Sequence, residues 1–141
     1  MNIVELEINE IESLWKNLND LHFKHSTHFK THFQNLKFED RTNKIISNEH
    51  VKIFGIKDGN DIAGYTIATV NSEAGEIYSL FVDINYRGKG FGQKLMKHSI
   101  EWLKAKQCEN IRVYVAEGNE QALPFYESIG FKHRFHVLQL S

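Results

Sequence analysis

Six consecutive residues in the middle of the chain have the types and spacing that suit phosphate binding: Arg87-Gly88-Lys89-Gly90-Phe91-Gly92. An apolar, strand-like segment from Ile77 to Val82 precedes them, and an amphipathic helical pattern follows. Glycine has no Cβ, so backbone N–H groups can approach an anion, and a helix N-terminus adds unpaired donors. The two basic side chains add positive charge. The run predicts a phosphate-binding loop, and an ordinary turn before a helix is the alternative.

The spacing within this run excludes two common phosphate loops. A dinucleotide fingerprint needs G-x-G-x-x-G, with a ribose-binding acid on a second strand about twenty residues later, and neither feature is present. A Walker loop ends in Gly-Lys-Ser/Thr, which is also missing. These absences disfavour other kinds of nucleotide-binding domain. The remaining pattern, Arg-x-x-Gly-x-Gly, resembles the acyl-coenzyme A pyrophosphate loop of the GNAT (Gcn5-related N-acetyltransferase) superfamily.

A second block lies about thirty residues further on and strengthens this resemblance. Ile111 to Val115 alternates like a strand, and helical spacing follows it. The residues that then resemble the second conserved block of the superfamily are Asn119, Ala122, Phe125-Tyr126 and Gly130-Phe131. The resemblance covers roughly Ile53 to Phe131, so the first fifty residues are largely outside it.

The pattern of elements, together with the resemblance, predicts an α/β (α+β) fold. We expect a mixed, mostly antiparallel central sheet flanked by helices, in one domain over residues 1–141. The predicted strands are Ile3–Ile8, Val51–Ile56, Ile62–Val70, Gly75–Val82, Ile111–Val115 and Phe131–Leu140. The predicted helices are Glu10–Leu21, Thr27–Ile46 and Gly90–Lys106, with a break near 24–26. Asp58-Gly59 predicts a hairpin, and Pro124 predicts that the last helix begins late or kinks.

Acyl transfer to an amine needs a base, and Glu76 is the candidate. An alkylammonium of pKa about 10.4 costs about 5 kcal/mol to deprotonate at pH 7. Glu76 begins the strand before the glycine loop, where apolar neighbours should raise the pKa of its carboxyl group. Certain histone acetyltransferases of the superfamily carry their catalytic glutamate at this place. A solvated glutamate at a strand start is the alternative. Other members use a position that corresponds to Tyr114, which cannot be a carboxylate base.

The resemblance assigns the remaining steps to three further groups. Tyr126 resembles the general acid that protonates the departing thiolate, and an aromatic core pair with Phe125 is the alternative. Backbone N–H groups of Leu80-Phe81-Val82 would polarise the thioester carbonyl. The pantetheine arm would lie between this strand and 111–115, where Asn119 would bind it or cap the last helix. The predicted acetyl-CoA contacts are Leu80, Phe81, Val82, Arg87, Gly88, Lys89, Gly90, Phe91, Gly92, Gln93, Asn119 and Tyr126.

Four histidines fall at intervals of three, three and four residues: His22, His25, His28 and His32. On one continuous helix they would form a stripe that could bind zinc. The expected helix break, the interleaved phenylalanines and the lack of a matching carboxylate or thiol cluster argue against a metal site. We expect no metal. One interpretation is that the segment forms a wall of the acceptor site, and packing of its phenylalanines on the sheet is the alternative.

Composition narrows the classes of partner. Seventeen basic and eighteen acidic residues give a net charge of −1, so no bulk electrostatic attraction to nucleic acid or an anionic membrane is expected. No apolar run is long enough to cross a bilayer, and the acidic N-terminus does not resemble a secretory signal. The lone cysteine, Cys108, cannot form an internal disulfide, which suits a reducing compartment. A cytoplasmic location is the expectation.

Two function classes remain open. In the first, the protein is an N-acetyltransferase that moves an acetyl group from acetyl-CoA to a primary amine by direct attack in a ternary complex, without a metal. In the second, it is a non-catalytic acyl-CoA-binding regulatory module. The presence of both Glu76 and Tyr126 favours the enzyme. The acceptor would be a small-molecule or peptide amine, and the resemblance also admits a homodimer.

Overall fold

The computed structural model describes residues 2–140 and contains a five-stranded sheet in the order β1-β2-β3-β4-β5. The strands are Ile3–Glu5 (β1), His50–Asp58 (β2), Asp61–Asn71 (β3), Ala74–Val82 (β4) and Asn110–Val113 (β5). Strands β1 to β4 pair antiparallel with their neighbours, and β5 pairs parallel with β4. The predicted mixed, mostly antiparallel sheet is therefore confirmed.

Helices cover both faces of this sheet. They are Glu12–His25 (α1), Lys30–Asn35 (α2), Phe38–Ile46 (α3), Phe91–Ala105 (α4) and Leu123–Ile129 (α5). On one face, called the first face here, α1 and α3 pack on a cluster that includes Ile11, Ile45, Tyr65 and Phe81. On the opposite, second face, α4 and α5 pack on a cluster that includes Ile77, Met96, Leu103 and Tyr126. No helix within residues 2–140 is long and apolar enough to cross a membrane.

The central strand and its hairpin follow from local sequence. Strand β3 is buried from Ala63 to Val70, as expected for a strand covered on both faces. The predicted hairpin is present: Asp58 pairs with Asp61, so Gly59 and Asn60 form its turn. Gly59 has a φ of 62°, in the left-handed region that glycine tolerates best.

The helix boundaries differ from the predictions in two places. The predicted helix over 27–46 is interrupted, because Leu36 has extended backbone and separates α2 from α3. The break predicted near 24–26 falls at 26–29, just after α1. The last helix begins late, as predicted: a 3-10 turn at Glu120–Ala122 precedes α5, and Pro124 lies in its first turn, where no N–H is needed.

The predicted final strand, Phe131–Leu140, is wrong. Phe131 packs on the second face, but residues 131–140 contain no strand. Side chains at both alternating sets of positions are exposed, including Val137 at 81% and Leu138 at 94%. Alternating apolar and polar side chains stabilise a strand only where one face is buried and the backbone of a neighbouring strand forms hydrogen bonds with it. Neither condition is met here.

Candidate active site

The glycine loop has an open backbone that leads directly into α4. Gly88 and Gly90 have φ values of 78° and 79°, and a Cβ at either position would meet no atom within 4 Å. Gly90 is the N-cap residue of α4, and it has no side chain that could accept a hydrogen bond from the first-turn N–H groups. The N–H groups of the first turn, which includes Gln93, are therefore left for another acceptor. Open space beside unpaired donors at a helix N-terminus fits a diphosphate.

The two basic residues of the loop differ in their contacts. Arg87 donates a hydrogen bond from Nε to the carbonyl oxygen of Val82 at 3.0 Å, and its guanidinium lies 5.5 Å from the Phe81 ring centroid. This contact fixes the loop to the end of β4. The Lys89 ammonium lies 5.7 Å from the Tyr86 ring, and its side chain is exposed. Both cations therefore border the loop.

Gly92 has a packing role that its place in the motif does not reveal. A Cβ on Gly92 would lie 3.3 Å from the Phe125 ring, which is tighter than ordinary contact. The missing side chain lets α4 approach α5 closely. Phe91, its neighbour, is buried under the loop side of the sheet with Ile56, Ala63 and Leu95. These two predicted cofactor residues thus offer backbone groups, while their side-chain positions serve packing.

Strands β4 and β5 part beside the loop. Their parallel pairing runs from Ala74 with Asn110 to Ile77 with Val113. Strand β5 ends there, two residues before the predicted end, while β4 continues along β3 to Val82. Within residues 2–140, the β5-facing edge of 78–82 therefore has no strand partner. The predicted positions Leu80, Phe81 and Val82 all lie along this free edge.

A β-bulge in β4 was not predicted. Ile67 pairs with Ser79 and Ala68 with Ile77, so Tyr78 is the extra residue. A bulge turns consecutive side chains toward the same face, increases the local twist and leaves ladder groups unpaired. Here Tyr78 and Phe81 both pack on the first face. The bulge therefore marks the place where β4 leaves β5.

Glu76 lies on the first face, just before the bulge. Its side chain is half-buried, and it has no hydrogen bond or ion pair with another residue in the described range 2–140. Burial raises the pKa of its carboxyl group, and the positive charge of Arg41 partly offsets this rise. Its register partners are Thr69 on β3 and Arg112 on β5. A raised pKa is the property expected of a general base that works near neutral pH.

Tyr126 lies on the opposite side of the gap, on the second face. Its ring packs against Phe125 at 5.3 Å and Phe131 at 6.1 Å, in the same cluster as Val113 and Val115. Burial raises the pKa of its phenol, so the hydroxyl keeps its proton at neutral pH. No residue within 2–140 forms a hydrogen bond with that hydroxyl. Glu76 and Tyr126 are thus on the two sides of the opening between β4 and β5.

Asn119 does not cap the last helix, so that prediction is wrong. Its backbone φ and ψ are −109° and 26°, which is not the extended N-cap conformation, and its side chain makes no cap hydrogen bond. Its Oδ1 instead accepts a hydrogen bond from Nε2 of Gln121 at 2.8 Å. The predicted contact with a pantetheine arm remains the hypothesis for this side chain.

Glu117 fixes the loop after β5 to the end of α1, and the sequence analysis did not identify it. Its carboxylate accepts hydrogen bonds from Ser26 Oγ at 2.6 Å, Thr27 N at 2.9 Å and His28 N at 3.1 Å. These donors lower the pKa of Glu117 to about 2, with the Ser26 bond as the largest cause. The contact joins segments 90 residues apart, so no local pattern could predict it.

The histidine segment forms aromatic contacts. His22 and His32 lie against Phe33, with ring centroids at 5.2 Å and 5.0 Å. Burial, the charge of Arg41 and the charge of His25 lower the pKa of His22, which is therefore neutral at neutral pH. Across residues 2–140 there is no cluster of three or more histidine, cysteine or acidic side chains that could hold a metal ion.

Comparison with known proteins identifies the family. A family model described as acetyltransferase (GNAT) family matches residues 11–131, and the chain belongs to that family. The match includes the glycine loop, the parting strands and the helix that carries Tyr126, and it ends at Phe131, where the packed core also ends.

Individual relatives agree with this assignment. An uncharacterized N-acetyltransferase of Methanocaldococcus jannaschii is 34% identical over 62 residues, or 44% of this chain and 27% of the relative. Mycothiol acetyltransferase of Corynebacterium glutamicum is 33% identical over 75 residues, or 52% of this chain and 26% of the relative. The chain thus matches about a quarter of the length of these relatives. A putative acetyl transferase from Pyrococcus furiosus shares the fold, with a TM-score of 0.80 at 22% identity over 99% of this chain and 98% of that one.

Proposed function

We propose that this protein is an N-acetyltransferase that uses acetyl-CoA and a primary amine, carried by a small molecule or a peptide, in a ternary complex. The observation that carries the proposal is the free edge of β4. This edge lies between an open glycine loop and two groups that can move protons, Glu76 and Tyr126. Membership in the acetyltransferase (GNAT) family supports it.

The cofactor side of the proposal depends on backbone groups. Acetyl-CoA would supply an acetyl thioester, which is an activated acyl donor. Gly88, Gly90 and the first turn of α4 would hold the diphosphate, with Arg87 and Lys89 adding positive charge. Asn119 and the free edge of β4 would hold the pantetheine arm, in the manner of an added strand.

Glu76 would accept the proton that the ammonium form of the acceptor must lose. The neutral nitrogen then attacks the thioester carbonyl carbon, and free N–H groups on the edge at 80–82 would stabilise the oxyanion. As the carbon–sulfur bond breaks, Tyr126 would donate its proton to the sulfur. The nitrogen loses its second proton as the amide forms. One of the two ammonium protons replaces the proton that Tyr126 gave to sulfur and the other is released to solvent, so both side chains return to their starting states. The products are an N-acetyl amide, coenzyme A and one proton.

Steady-state kinetics with a panel of primary amines tests this function. Thiol release from acetyl-CoA should depend on the amine, and mass spectrometry should find the amine heavier by one acetyl group. Direct attack in a ternary complex gives intersecting lines in double-reciprocal plots, whereas an acetylated enzyme gives parallel lines. Tight acetyl-CoA binding without turnover of any amine would favour the regulatory module instead.

A further inference from the structure

Two arginine side chains border the proposed acceptor site. Arg112 on β5 is the direct register partner of Glu76, so the two side chains project to the same face of the sheet. Arg41 on α3 donates a hydrogen bond from Nη1 to the hydroxyl of Tyr78 at 2.7 Å. Tyr78 follows Glu76 by two residues on the same strand. The Arg41 guanidinium is therefore near enough to Glu76 to act on its carboxyl group, and Arg112 lies beside Glu76 in the register of β4 with β5.

Neither guanidinium is neutralised by a carboxylate. Among residues 2–140, no acidic oxygen lies within 4.0 Å of Arg41 or Arg112. The hydrogen-bond partner of Arg41 is a hydroxyl group, that of Tyr78, and not a carboxylate. Nε of Arg112 is buried without an acceptor in the described chain, and its guanidinium lies 5.2 Å from the Phe135 ring. A cation that is partly removed from water is costly unless an anion pairs with it.

The surrounding charges disfavour a polycationic acceptor. Glu76 carries the carboxylate beside Arg41, and its half-buried oxygens are assigned to the reacting nitrogen. His22, which also lies near Arg41, is neutral at neutral pH. Additional ammonium groups on an acceptor would be repelled by the Arg41 guanidinium beside Glu76. An acidic group would instead meet planar guanidinium donors that match carboxylate and phosphate oxygens.

We propose that the acceptor is a small amine bearing a carboxylate or phosphate group, and that Arg41 and Arg112 bind this anion while the nitrogen faces Glu76. This inference rests on the proposed function, because it names the acceptor class of the same site. Tyr78 is two residues from Glu76 on β4 and lies at the bulge, so an anion bound by Arg41 is near the reacting nitrogen. Acceptors in which a few bonds separate the anion from the nitrogen, such as short amino acids and phosphorylated amines, fit this arrangement.

Nuclear magnetic resonance of the arginine Nε–H groups tests anion binding without turnover. The arginines of this chain are Arg41, Arg87, Arg112 and Arg134, so single Arg→Gln variants assign every signal. The protein, with and without saturating coenzyme A, is titrated with inorganic phosphate and with succinate. We expect saturable changes in the chemical shifts of the Arg41 and Arg112 Nε–H groups. The anion that binds with the higher affinity shows whether the acceptor carries a phosphate or a carboxylate. Binding should weaken about 10- to 100-fold in Arg41→Gln and Arg112→Gln.

The matched controls separate specific binding from general charge. Lys97→Gln removes an exposed cation of α4, the helix that packs on the second face, and should leave the affinity unchanged. Arg41→Lys keeps the charge but loses the planar fork, so it should retain part of the affinity. If neither anion shifts the Arg41 and Arg112 signals, or if the Gln variants bind as well as the parent protein, the inference is overturned.

A kinetic comparison with paired amines completes the test. Each pair differs in one charge: β-alanine with its amide, and phosphoethanolamine with ethanolamine. We expect kcat/KM about 10- to 100-fold higher for the anionic member of the preferred pair, and Arg41→Gln to erase this difference mainly through KM. Equal values within both pairs would contradict the inference and leave the proposed function intact. Anion binding without acetyl transfer to any amine would reject the proposed function alone.

Discussion

At the scale of single residues, the proposed mechanism divides proton transfer between two side chains with opposite requirements. The base must be ionised before it can accept a proton, whereas the acid must keep its proton until the sulfur departs. Glu76 is half-buried beside one guanidinium, so its carboxyl remains able to ionise while its pKa is raised. Tyr126 is more deeply buried, and burial alone raises the pKa of its phenol. Environment thus suits each group to its proposed role.

Glu76→Gln is expected to lower kcat/KM for the amine about 10²- to 10⁴-fold at pH 7, because the variant cannot accept a proton. The pKa of Glu76 is raised above its ordinary value of 4.5. Below that pKa, protonation of the carboxylate should make kcat/KM of the parent protein fall more steeply with decreasing pH. The Glu76→Gln variant should not show this additional fall. Glu73→Gln, at an exposed position three residues earlier, is the control and should match the parent. A variant profile with the same steep acidic limb would exclude Glu76 as the base.

Tyr126→Phe is expected to lower kcat about 10²-fold or more while acetyl-CoA binding is kept. The substitution preserves the ring that packs on Phe125 and Phe131. Since the hydroxyl has no hydrogen-bond partner within residues 2–140, the free energy of unfolding should change by less than about 1 kcal/mol. Calorimetric titration and urea unfolding measure these two controls. An unchanged kcat would assign Tyr126 to the core alone.

At the scale of elements, the site depends on how the loop after β5 is joined to α1. Glu117 accepts hydrogen bonds from the segment that follows α1, and Gly118 lies directly against the His25 carbonyl. The segment after α1 is therefore joined directly to the loop that carries Asn119. A change at either residue should alter stability first and catalysis through position.

Glu117→Gln is expected to remove an acid-dependent part of the stability. The pKa of this carboxyl is about 2 in the folded protein, below its ordinary value of 4.5. Its contribution is therefore complete above about pH 4.5 and is lost as the pH falls toward 2. Urea unfolding across this range should show a shallower fall for the variant, which also starts lower at pH 7. Glu109→Gln, an exposed control, should retain the parent slope. Parallel curves for parent and Glu117→Gln would contradict the assignment.

Gly118→Ala is expected to destabilise the protein by about 2 kcal/mol or more. A Cβ at this position would lie 2.5 Å from the His25 carbonyl oxygen, at a φ of 94°. Gly59→Ala provides the comparison, since its φ is 62° and its Cβ would meet nothing within 4 Å. In the control, the free energy of unfolding should fall by only about 1 kcal/mol, the cost of placing a residue with a Cβ in the left-handed backbone region. Equal losses in the two variants, measured by urea unfolding, would show that the close approach has no energetic role.

The parts of the site that could be predicted are those encoded locally. Gly88 and Gly90 occupy positive φ values that few other residues adopt, so the loop is visible in the sequence. The bulge at Tyr78 is different, because Ile77 to Val82 reads as an ordinary apolar strand and its pairing with β3 decides the register. No local sequence pattern indicates the contacts of Glu117, because they form only when distant segments meet. The prediction of a last strand was wrong for the same reason, since alternating side chains do not show whether a neighbouring strand is present.

At the scale of the whole molecule, the two ends of the chain contribute different parts of the site. Helices α1 and α3 cover the first face, and α3 carries Arg41, whereas the segment from β4 to α5 carries the glycine loop and the two side chains proposed for proton transfer. The family match begins at residue 11 and so includes α3 as well. The net charge of −1 gives no long-range attraction for a polyanion, so the proposed selection of an anionic acceptor rests on local groups, Arg41 and Arg112.

Calorimetric titration with acetyl-CoA tests directly whether the glycine loop and the gap beside β4 bind this co-substrate. The three proteins compared are the parent, Gly90→Glu and Gly59→Glu. Both variants place a glutamate at a left-handed position with open space, but only Gly90 lies in the loop. We expect micromolar binding by the parent and by Gly59→Glu, and a loss of at least about 100-fold in Gly90→Glu. No binding by the parent protein, or equal binding by Gly90→Glu, would show that the glycine loop does not form an acetyl-CoA site.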